Sequence, residues 1–364
     1  MPKKKAAASG TNRCFGDDIL RHVLSYLPLD DALQTCVLNT RWRDHWRHTT
    51  DLSLIFDDLS FERFKQLVKL FIQLRGDSPL DKFVILAYPE SDECTYTNTM
   101  LLIEYALKCQ ANELMVFSHH SYDTFVLGVP LISQHLNTIH LRLVYLESSS
   151  PDFSHCPVLE YLRIELCRIN ARRISSKSLK RMCITDQCSF PEDFHVRIFA
   201  PGLVSLQLDD FRGLTPSLEY MPFLVTAYVG LGILCPELKD RSSHAYPVAE
   251  GVILHGLSNA VNLELIADYR TEKLENTKKL ISAMGAQETI EQSFVCAYLK
   301  VVNIECRKVD DGIHKIVNIL TTCGVLRQQI SIKNPHANSN CFSFQKHEQP
   351  RWRTPLAPEM CAQS

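Results

Sequence analysis

Residues 159–164 read Leu-Glu-Tyr-Leu-Arg-Ile: an apolar residue, two free positions, a second apolar residue, one free position and a third apolar residue. The same frame begins at residues 136, 179, 203 and 224, so successive copies start 23, 20, 24 and 21 residues apart. Its last three positions alternate as in a short strand with one buried face. Because one such coil cannot bury its apolar face alone, the sequence predicts a solenoid of stacked coils.

Weaker copies of the frame extend this stack to about nine coils. They are Leu80/Phe83/Ile85, Ala111/Leu114/Val116, Ala260/Leu263/Leu265 and Leu299/Val302/Ile304. The period is that of leucine-rich repeats. Longer intervals are expected to hold helices on the convex side, at residues 98–110 and 271–285, and residues 236–247 read as a polar loop. A further helix should begin after Ser60 and end at Gly76, before Pro79.

The N-terminal segment FGDDILRHVLSYLPLDDALQTCVLNTRWRDHW, residues 15–46, predicts three short helices. Pro28 should end the first helix, Asp30 should cap the second, and the third should carry Trp42 and Trp46 on one face. Three helices in about thirty residues make a very small core. The surplus apolar surface should therefore be covered by another chain or by the rest of this one.

Within this segment the chain resembles the F-box of plant F-box proteins with leucine-rich repeats. The matching residues are Asp17-Asp18-Ile19-Leu20, Val23-Leu24-Ser25, Leu27-Pro28-Leu29, Asp31-Ala32, Val37-Leu38, Arg41-Trp42-Arg43 and Trp46. The family usually opens with Leu-Pro, where this chain has Phe15-Gly16. Glycine lacks the fixed backbone angle with which proline begins a helix. A weaker affinity for the adaptor is one expected consequence.

Several short sequence motifs in the repeats support the same resemblance. They are Arg75-Gly76 before Pro79-Leu80, His155-Cys156-Pro157-Val158-Leu159-Glu160, Ala200-Pro201-Gly202-Leu203 and Gly256-Leu257-Ser258-Asn259. Residues 299–304, then Asp310-Asp311-Gly312 and a helix with Ile313, Ile316, Val317 and Leu320, resemble the C-terminal FBD unit of these proteins. Such a unit would cap the last face of a solenoid.

The predicted fold is α/β: a three-helix F-box, then a leucine-rich-repeat solenoid of short parallel strands with convex helices and loops, then a C-terminal capping unit. The expected limits are 1–13 for a disordered basic tail, 14–54 for the F-box, 55–79 for a linker helix, 80–270 for the repeats, 271–333 for the FBD-like cap and 334–364 for a flexible tail.

The resemblance implies docking onto a Skp-family adaptor and, through it, onto a cullin scaffold of an SCF-type ubiquitin ligase. This chain would then hold a protein substrate near a charged ubiquitin-conjugating enzyme and perform no chemistry itself. The residues expected to contact the adaptor are Ile19, Val23, Leu24, Leu27, Pro28, Leu29 and Val37. Two alternatives stay open: a helical cap packed only on its own chain, and a repeat-based interaction scaffold that does not assemble a ligase.

Substrate binding is expected on the concave strand face, at free positions that alternate with the buried anchors. The candidates are His140, Arg142, Tyr161, Arg163, Glu165, Arg181, Gln207 and Asp209. The competing interpretation is that these residues are simply the solvated side of the strands. A small-molecule receptor would need a deep pocket, which about nine coils are too few to close.

Composition favours a soluble intracellular protein, of the nucleus, the cytoplasm or both. A net charge of −2 indicates no general attraction to nucleic acid or acidic membranes, and the longest apolar stretch is too short to span a bilayer. The 14 cysteines are irregularly spaced, which favours reduced, buried thiols. A metal site at Cys183, Cys188 and His195 lacks closely spaced ligand pairs, and no phosphate loop, nucleophile elbow or other catalytic motif is present. We therefore expect no cofactor.

Overall fold

A computed structural model describes residues 16–27, 29–35, 42, 44–54, 61–87, 93–118, 125–148, 151–231, 256–267, 296, 298–306, 309 and 311–333. Eleven parallel strands form one continuous sheet in these residues. In spatial order they are β1 (Asp51–Leu54), β2 (Lys82–Ala87), β3 (Glu113–Ser118), β5 (Thr138–Arg142), β7 (Tyr161–Glu165), β10 (Arg181–Thr185), β12 (Ser205–Phe211), β14 (Thr226–Leu231), β15 (Asn262–Ala267), β16 (Val301–Glu305) and β17 (Ile330–Lys333).

The repeat frame sets the register of this sheet. Leu162 on β7 is aligned with Ile139 on β5 and with Met182 on β10, and the same anchor position continues across the stack. All three apolar positions of every copy of the frame identified in the sequence are buried. The predicted α/β solenoid is therefore confirmed.

Two strands of the sheet, β1 and β17, were not predicted. At the position three residues before Leu52 the frame has Thr49, which is buried and satisfies its hydroxyl by donating to the carbonyl of Trp46 at 2.7 Å. In the last coil the equivalent position is Arg327, which is exposed. A frame that requires three apolar residues misses both strands.

The secondary structure on the convex side depends on the length of each coil. The longer coils hold helices: α3 (Phe61–Arg75), α4 (Glu93–Lys108) and α5 (Asp311–Thr322). The shorter coils hold strand segments in two small parallel sheets: β4 (Phe125–Leu127), β6 (Val144–Glu147) and β8 (Arg168–Asn170), and β9 (Arg173–Ser175), β11 (Arg197–Phe199) and β13 (Ser217–Leu218). A coil of about 20 residues, after its concave strand, has little length left for a helix.

A cysteine ladder joins the coils where the chain leaves the concave strands. The amide of Val144 donates to Sγ of Cys167 at 3.4 Å, and the amide of Cys167 donates to Sγ of Cys188 at 3.4 Å. In turn the Cys188 thiol donates to the carbonyl oxygen of Ile164 at 3.4 Å. The buried thiols thus accept from and donate to backbone groups inside the stack, so their own polar atoms are hydrogen-bonded.

The N-terminal helices pack on the first coil. They are α1 (Asp17–Leu24), α2 (Leu29–Gln34) and a 3₁₀ helix at His45–His48. Trp46 is buried and lies 6.3 Å, ring centre to ring centre, from Phe71 on α3. Phe71 in turn contacts Tyr105 on α4, at 5.5 Å. Aromatic packing therefore joins the helical segment to the solenoid.

A buried arginine closes this junction. Arg75 is only 4% exposed. Its guanidinium donates to the carbonyl oxygens of Thr49 at 2.9 Å, Ser78 at 2.6 Å and Pro79 at 2.8 Å, and to the hydroxyl of Tyr105 at 2.9 Å. Four acceptors from both sides of the junction thus compensate one buried charge.

Several details of the predicted helices change. The second helix begins at Leu29, so Asp30 lies inside it and does not precede it as a cap. The convex helix expected from residue 98 begins at Glu93. The helix that Gly76 was expected to end is confirmed, because it runs to Arg75 and Gly76 follows it at φ +63°. The predicted helix 271–285, the loop 236–247, and the N- and C-terminal tails lie outside the described residues.

Candidate functional site

Helix α1 carries the first candidate surface. Its inward side chains, Leu20 and Leu24, are buried in the chain's own core. One position earlier in each turn, Ile19 and Val23 are 50% and 44% exposed, and Tyr26 just beyond the helix is 75% exposed. Spacings of three and four residues place these three side chains on one face. The helix thus has an exposed apolar stripe beside a buried one.

The predicted adaptor contacts fall into an exposed group and a buried group. Ile19 and Val23 are on the surface and Leu27 is half-buried, whereas Leu24 and Leu29 are each 1% exposed. The last two are therefore corrected to core residues of this arrangement, because α1 and α2 turn them toward the solenoid. Pro28 and Val37 lie outside the described residues. Tyr26 was missed, although its spacing from Val23 and Ile19 was visible in the sequence.

The concave strands carry the second candidate surface, and its centre is an ion-pair network. The Nε2 atom of His140 on β5 lies 3.0 Å from a carboxylate oxygen of Glu165, and Arg163 donates from Nε to the other oxygen. Phe117 on β3 packs edge-on against the His140 ring at 4.8 Å. Glu165, expected to face outward, is buried, and its two partners are half-buried. The prediction of substrate contact for Glu165 is corrected on this ground.

Burial alone would raise the pKa of the Glu165 carboxyl. The hydrogen bond and charge of His140, with the charge of Arg163, outweigh burial and lower that pKa to about 2. The carboxylate is therefore ionised at neutral pH and holds both partners in place.

Two further predicted residues extend into solvent. Arg142 is exposed at the end of β5, beside Glu165 in the register of the sheet. Arg181, at the start of β10, places its guanidinium 5.3 Å from the ring centre of Tyr161. The Tyr161 hydroxyl in turn lies 3.9 Å from Sγ of Cys183. The middle of the concave face thus presents two exposed arginines, of which Arg181 is supported by an aromatic ring.

A shallow cavity of about 240 Å³ opens farther along the concave face, over β12, β14, β15 and β16. It is lined by the predicted residue Gln207 together with Tyr228, Glu264 and Asn303, which were not predicted. All four occupy the position between the second and third anchors of the frame. Applying the concave-face rule to the repeat that begins at Leu224 and to the two weaker repeats after it would have found the missing three.

The surroundings of the cavity are acidic. Burial raises the pKa of the Tyr228 hydroxyl, and the charges of Asp209, Glu264 and Glu305 raise it further. Burial and the charge of Glu305 likewise raise the pKa of Glu264, against the opposing charge of Lys333. The predicted residue Asp209 therefore lies within this negatively charged part of the face.

The three residues of the metal site that the sequence does not favour, Cys183, Cys188 and His195, belong to separate networks. Cys188 is part of the buried ladder, Cys183 contacts Tyr161, and Nδ1 of His195 lies 2.6 Å from the carbonyl oxygen of Thr215. Over the described ranges, no group of three His, Cys, Asp or Glu residues could hold a metal ion. Within the same ranges, no helix is long and apolar enough to cross a membrane.

Comparison with known proteins agrees with this architecture. The F-box domain family matches residues 14–51. An F-box/FBD/LRR-repeat protein of Arabidopsis thaliana is 30% identical over 282 residues, which cover 67% of this chain and 62% of that protein. The chain is an F-box protein with leucine-rich repeats.

Two other relatives of this F-box protein, both from Arabidopsis thaliana, show the same pattern. F-box/LRR-repeat protein 13 is 31% identical over 234 residues, 54% of this chain and 51% of the relative. An FBD-associated F-box protein is 28% identical over 249 residues, 60% of this chain and 59% of the relative. The matched regions thus span about half to two thirds of the length of these relatives.

Proposed function

We propose that this chain is the substrate-recognition subunit of an SCF-type E3 ubiquitin ligase. F-box domains generally bind Skp1-type adaptors. In this chain α1 would bind the adaptor and, through it, a cullin, while the concave face of the solenoid would bind a protein substrate. The chain itself would be non-catalytic.

The observation that carries the proposal is the exposed stripe Ile19, Val23 and Tyr26. Apolar side chains that stay in solvent on one helix face, beside a fully buried stripe, mark a docking surface. Fully burying a Val, Leu, Ile or Phe side chain contributes about 1.5–3 kcal/mol. Because Ile19 and Val23 are already about half buried, covering them together with Tyr26 should contribute about 3–4 kcal/mol, part of the roughly 8 kcal/mol of a micromolar affinity.

Capture of a Skp-family adaptor by the full chain tests this assignment. Ile19→Asp and Val23→Asp place a charge in the proposed interface, and we expect each to weaken capture at least tenfold. Leu70→Asp is the matched control, because Leu70 is 54% exposed on α3 and should leave capture unchanged. Urea unfolding of all three variants checks that the fold is retained.

The opposite result would favour the alternative, an interaction scaffold that does not assemble a ligase. If the unmutated chain captures no adaptor, or if all three variants bind equally, the ligase assignment is wrong. Gly16, at the N-cap of α1, offers no side-chain hydrogen bond to the first turn. Compared with serine or aspartate, glycine at an N-cap costs only roughly 0.3 kcal/mol, so this helix start alone should not abolish adaptor binding.

A further inference from the structure

The middle of the concave face is positively charged. Arg142, Arg163 and Arg181 lie on β5, β7 and β10, and the carboxylate of Glu165 among them is already bound by Arg163 and His140. Because Glu165 is buried, an approaching molecule meets the exposed Arg142 and Arg181 first.

Arg181 is well placed to bind an anion. Its guanidinium stacks over Tyr161, so the ring restricts its orientation while the side chain remains exposed. A planar guanidinium held in this way can donate two parallel hydrogen bonds to a carboxylate. Less side-chain entropy is lost on binding than for a free arginine.

The cavity has the opposite character. The half-buried ring of Tyr228 lies within it, Glu264 lines it, and the charges of Asp209 and Glu305 act on the Tyr228 hydroxyl. An aromatic ring among carboxylates attracts a lysine or arginine side chain through both charge and cation–π contact. The volume, about 240 Å³, falls below the 300–1,000 Å³ usual for drug-sized ligands.

The distance between the two areas fits an extended peptide. In the order of the sheet, β15 lies three strands beyond β10 and five beyond β5. Strands about 4.8 Å apart give about 14 Å and 24 Å, and an extended chain covers these distances in about four and seven residues.

We propose that the concave face binds an extended substrate segment of mixed charge, with an acidic side chain on Arg142 or Arg181 and a lysine or arginine, four to seven residues away, in the cavity at Tyr228 and Glu264. This inference rests on the proposed function and deepens it by naming the class of substrate sequence. The arrangement discriminates by charge, since a segment with two acidic or two basic side chains at this separation meets like charge at one end.

Selection from a displayed library of random 12-residue peptides on the immobilised full chain tests the proposal. We expect enriched peptides to pair an acidic residue with a basic one at that separation. Glu264→Lys should abolish enrichment of the basic residue, and the double variant Arg142→Glu/Arg181→Glu should abolish enrichment of the acidic residue, because each change places like charge against that side chain. The matched control is Arg172→Glu, because Arg172 is exposed on the convex side and stacks over Phe194 at 5.1 Å.

Each possible result of the selection either supports or overturns the inference. Enrichment of acidic residues alone, enrichment without fixed separation, no enrichment, or unchanged enrichment of both charges by these variants overturns the inference. If urea unfolding shows either variant misfolded, Arg142→Gln/Arg181→Gln and Glu264→Gln replace them, and each should abolish enrichment of one charge only. Adaptor capture is measured on the same proteins, so a failed selection with intact capture leaves the proposed ligase function standing.

Discussion

Replacing Arg75 by alanine should loosen the junction between the F-box helices and the solenoid. The substitution removes four hydrogen bonds from a charged donor and leaves three carbonyl oxygens and the Tyr105 hydroxyl without that partner. Hydrogen bonds to charged groups contribute about 1.5–3 kcal/mol each, but removing the charge also removes its cost of burial. We expect a net loss of about 4 kcal/mol in the free energy of unfolding.

Urea unfolding followed by tryptophan fluorescence measures this loss at the junction itself, because Trp46 packs there against Phe71. With a slope of about 3 kcal/mol per molar urea, the midpoint should fall by about 1.3 M. Arg75→Lys keeps the charge but lacks the forked donors, so it should lose about half as much. Lys69→Ala, on the exposed side of the same helix, should stay within about 0.5 kcal/mol.

A midpoint that moves by less than about 0.3 M in Arg75→Ala would refute this reasoning, as would an equal shift in Lys69→Ala. A double-mutant cycle with Tyr105→Phe provides a second check. Since Arg75 and Tyr105 are in direct contact, their substitutions should be non-additive by at least about 0.5 kcal/mol.

Three further predictions concern the solenoid. Gly213→Ala should lower the free energy of unfolding, measured by urea titration, by more than about 2 kcal/mol, because a Cβ there would lie 2.0 Å from the carbonyl oxygen of Phe190. Gly76 has a similarly positive φ but no atom close to the added Cβ, so Gly76→Ala should cost only about 1 kcal/mol in the same titration. Since the pKa of Glu165 in the folded chain is about 2 against an ordinary 4.5, its ionised form stabilises the fold above about pH 4.5. The stability difference between the unmutated chain and Glu165→Gln should therefore shrink as the pH falls from about 5 toward 2, and a constant difference would contradict the ion-pair network. Cys188→Ala should cost about 1–2 kcal/mol by thermal or urea unfolding through loss of its ladder contacts, and unchanged stability would show the ladder to be dispensable.

Most of the solenoid could be predicted because its coils repeat one chemical pattern. An alternating strand such as Tyr161–Glu165 must bury Leu162 and Ile164 on the same side, and the 20-residue step to β10 places equivalent residues in register. The first strand was not predicted because a polar residue, Thr49, fills its first anchor position, where the hydroxyl is satisfied by the carbonyl of Trp46 three residues earlier. The last strand was not predicted because the exposed Arg327 occupies its first anchor position.

The candidate sites were less predictable, since periodicity shows an apolar stripe but not which side of it is covered. On α1 the pairs Ile19/Val23 and Leu20/Leu24 have the same spacing and similar hydrophobicity. Only the packing of the helix on the first coil buries the second pair and exposes the first. Glu165 posed the same problem, because a carboxylate at a free strand position is normally solvated, and its burial depends on partners from β5 and β7.

Because the sheet is continuous, the number of coils sets the distance between the F-box end of the chain and the cavity. Strand β1 follows directly on the segment matched by the F-box family, and β14, beside the cavity, is seven strands farther along. At about 4.8 Å per strand, this amounts to about 34 Å between the adaptor end and the cavity. In a ligase built on this chain, adding or deleting one coil would displace the bound protein by one increment and so change which of its lysines lies nearest the ubiquitin donor.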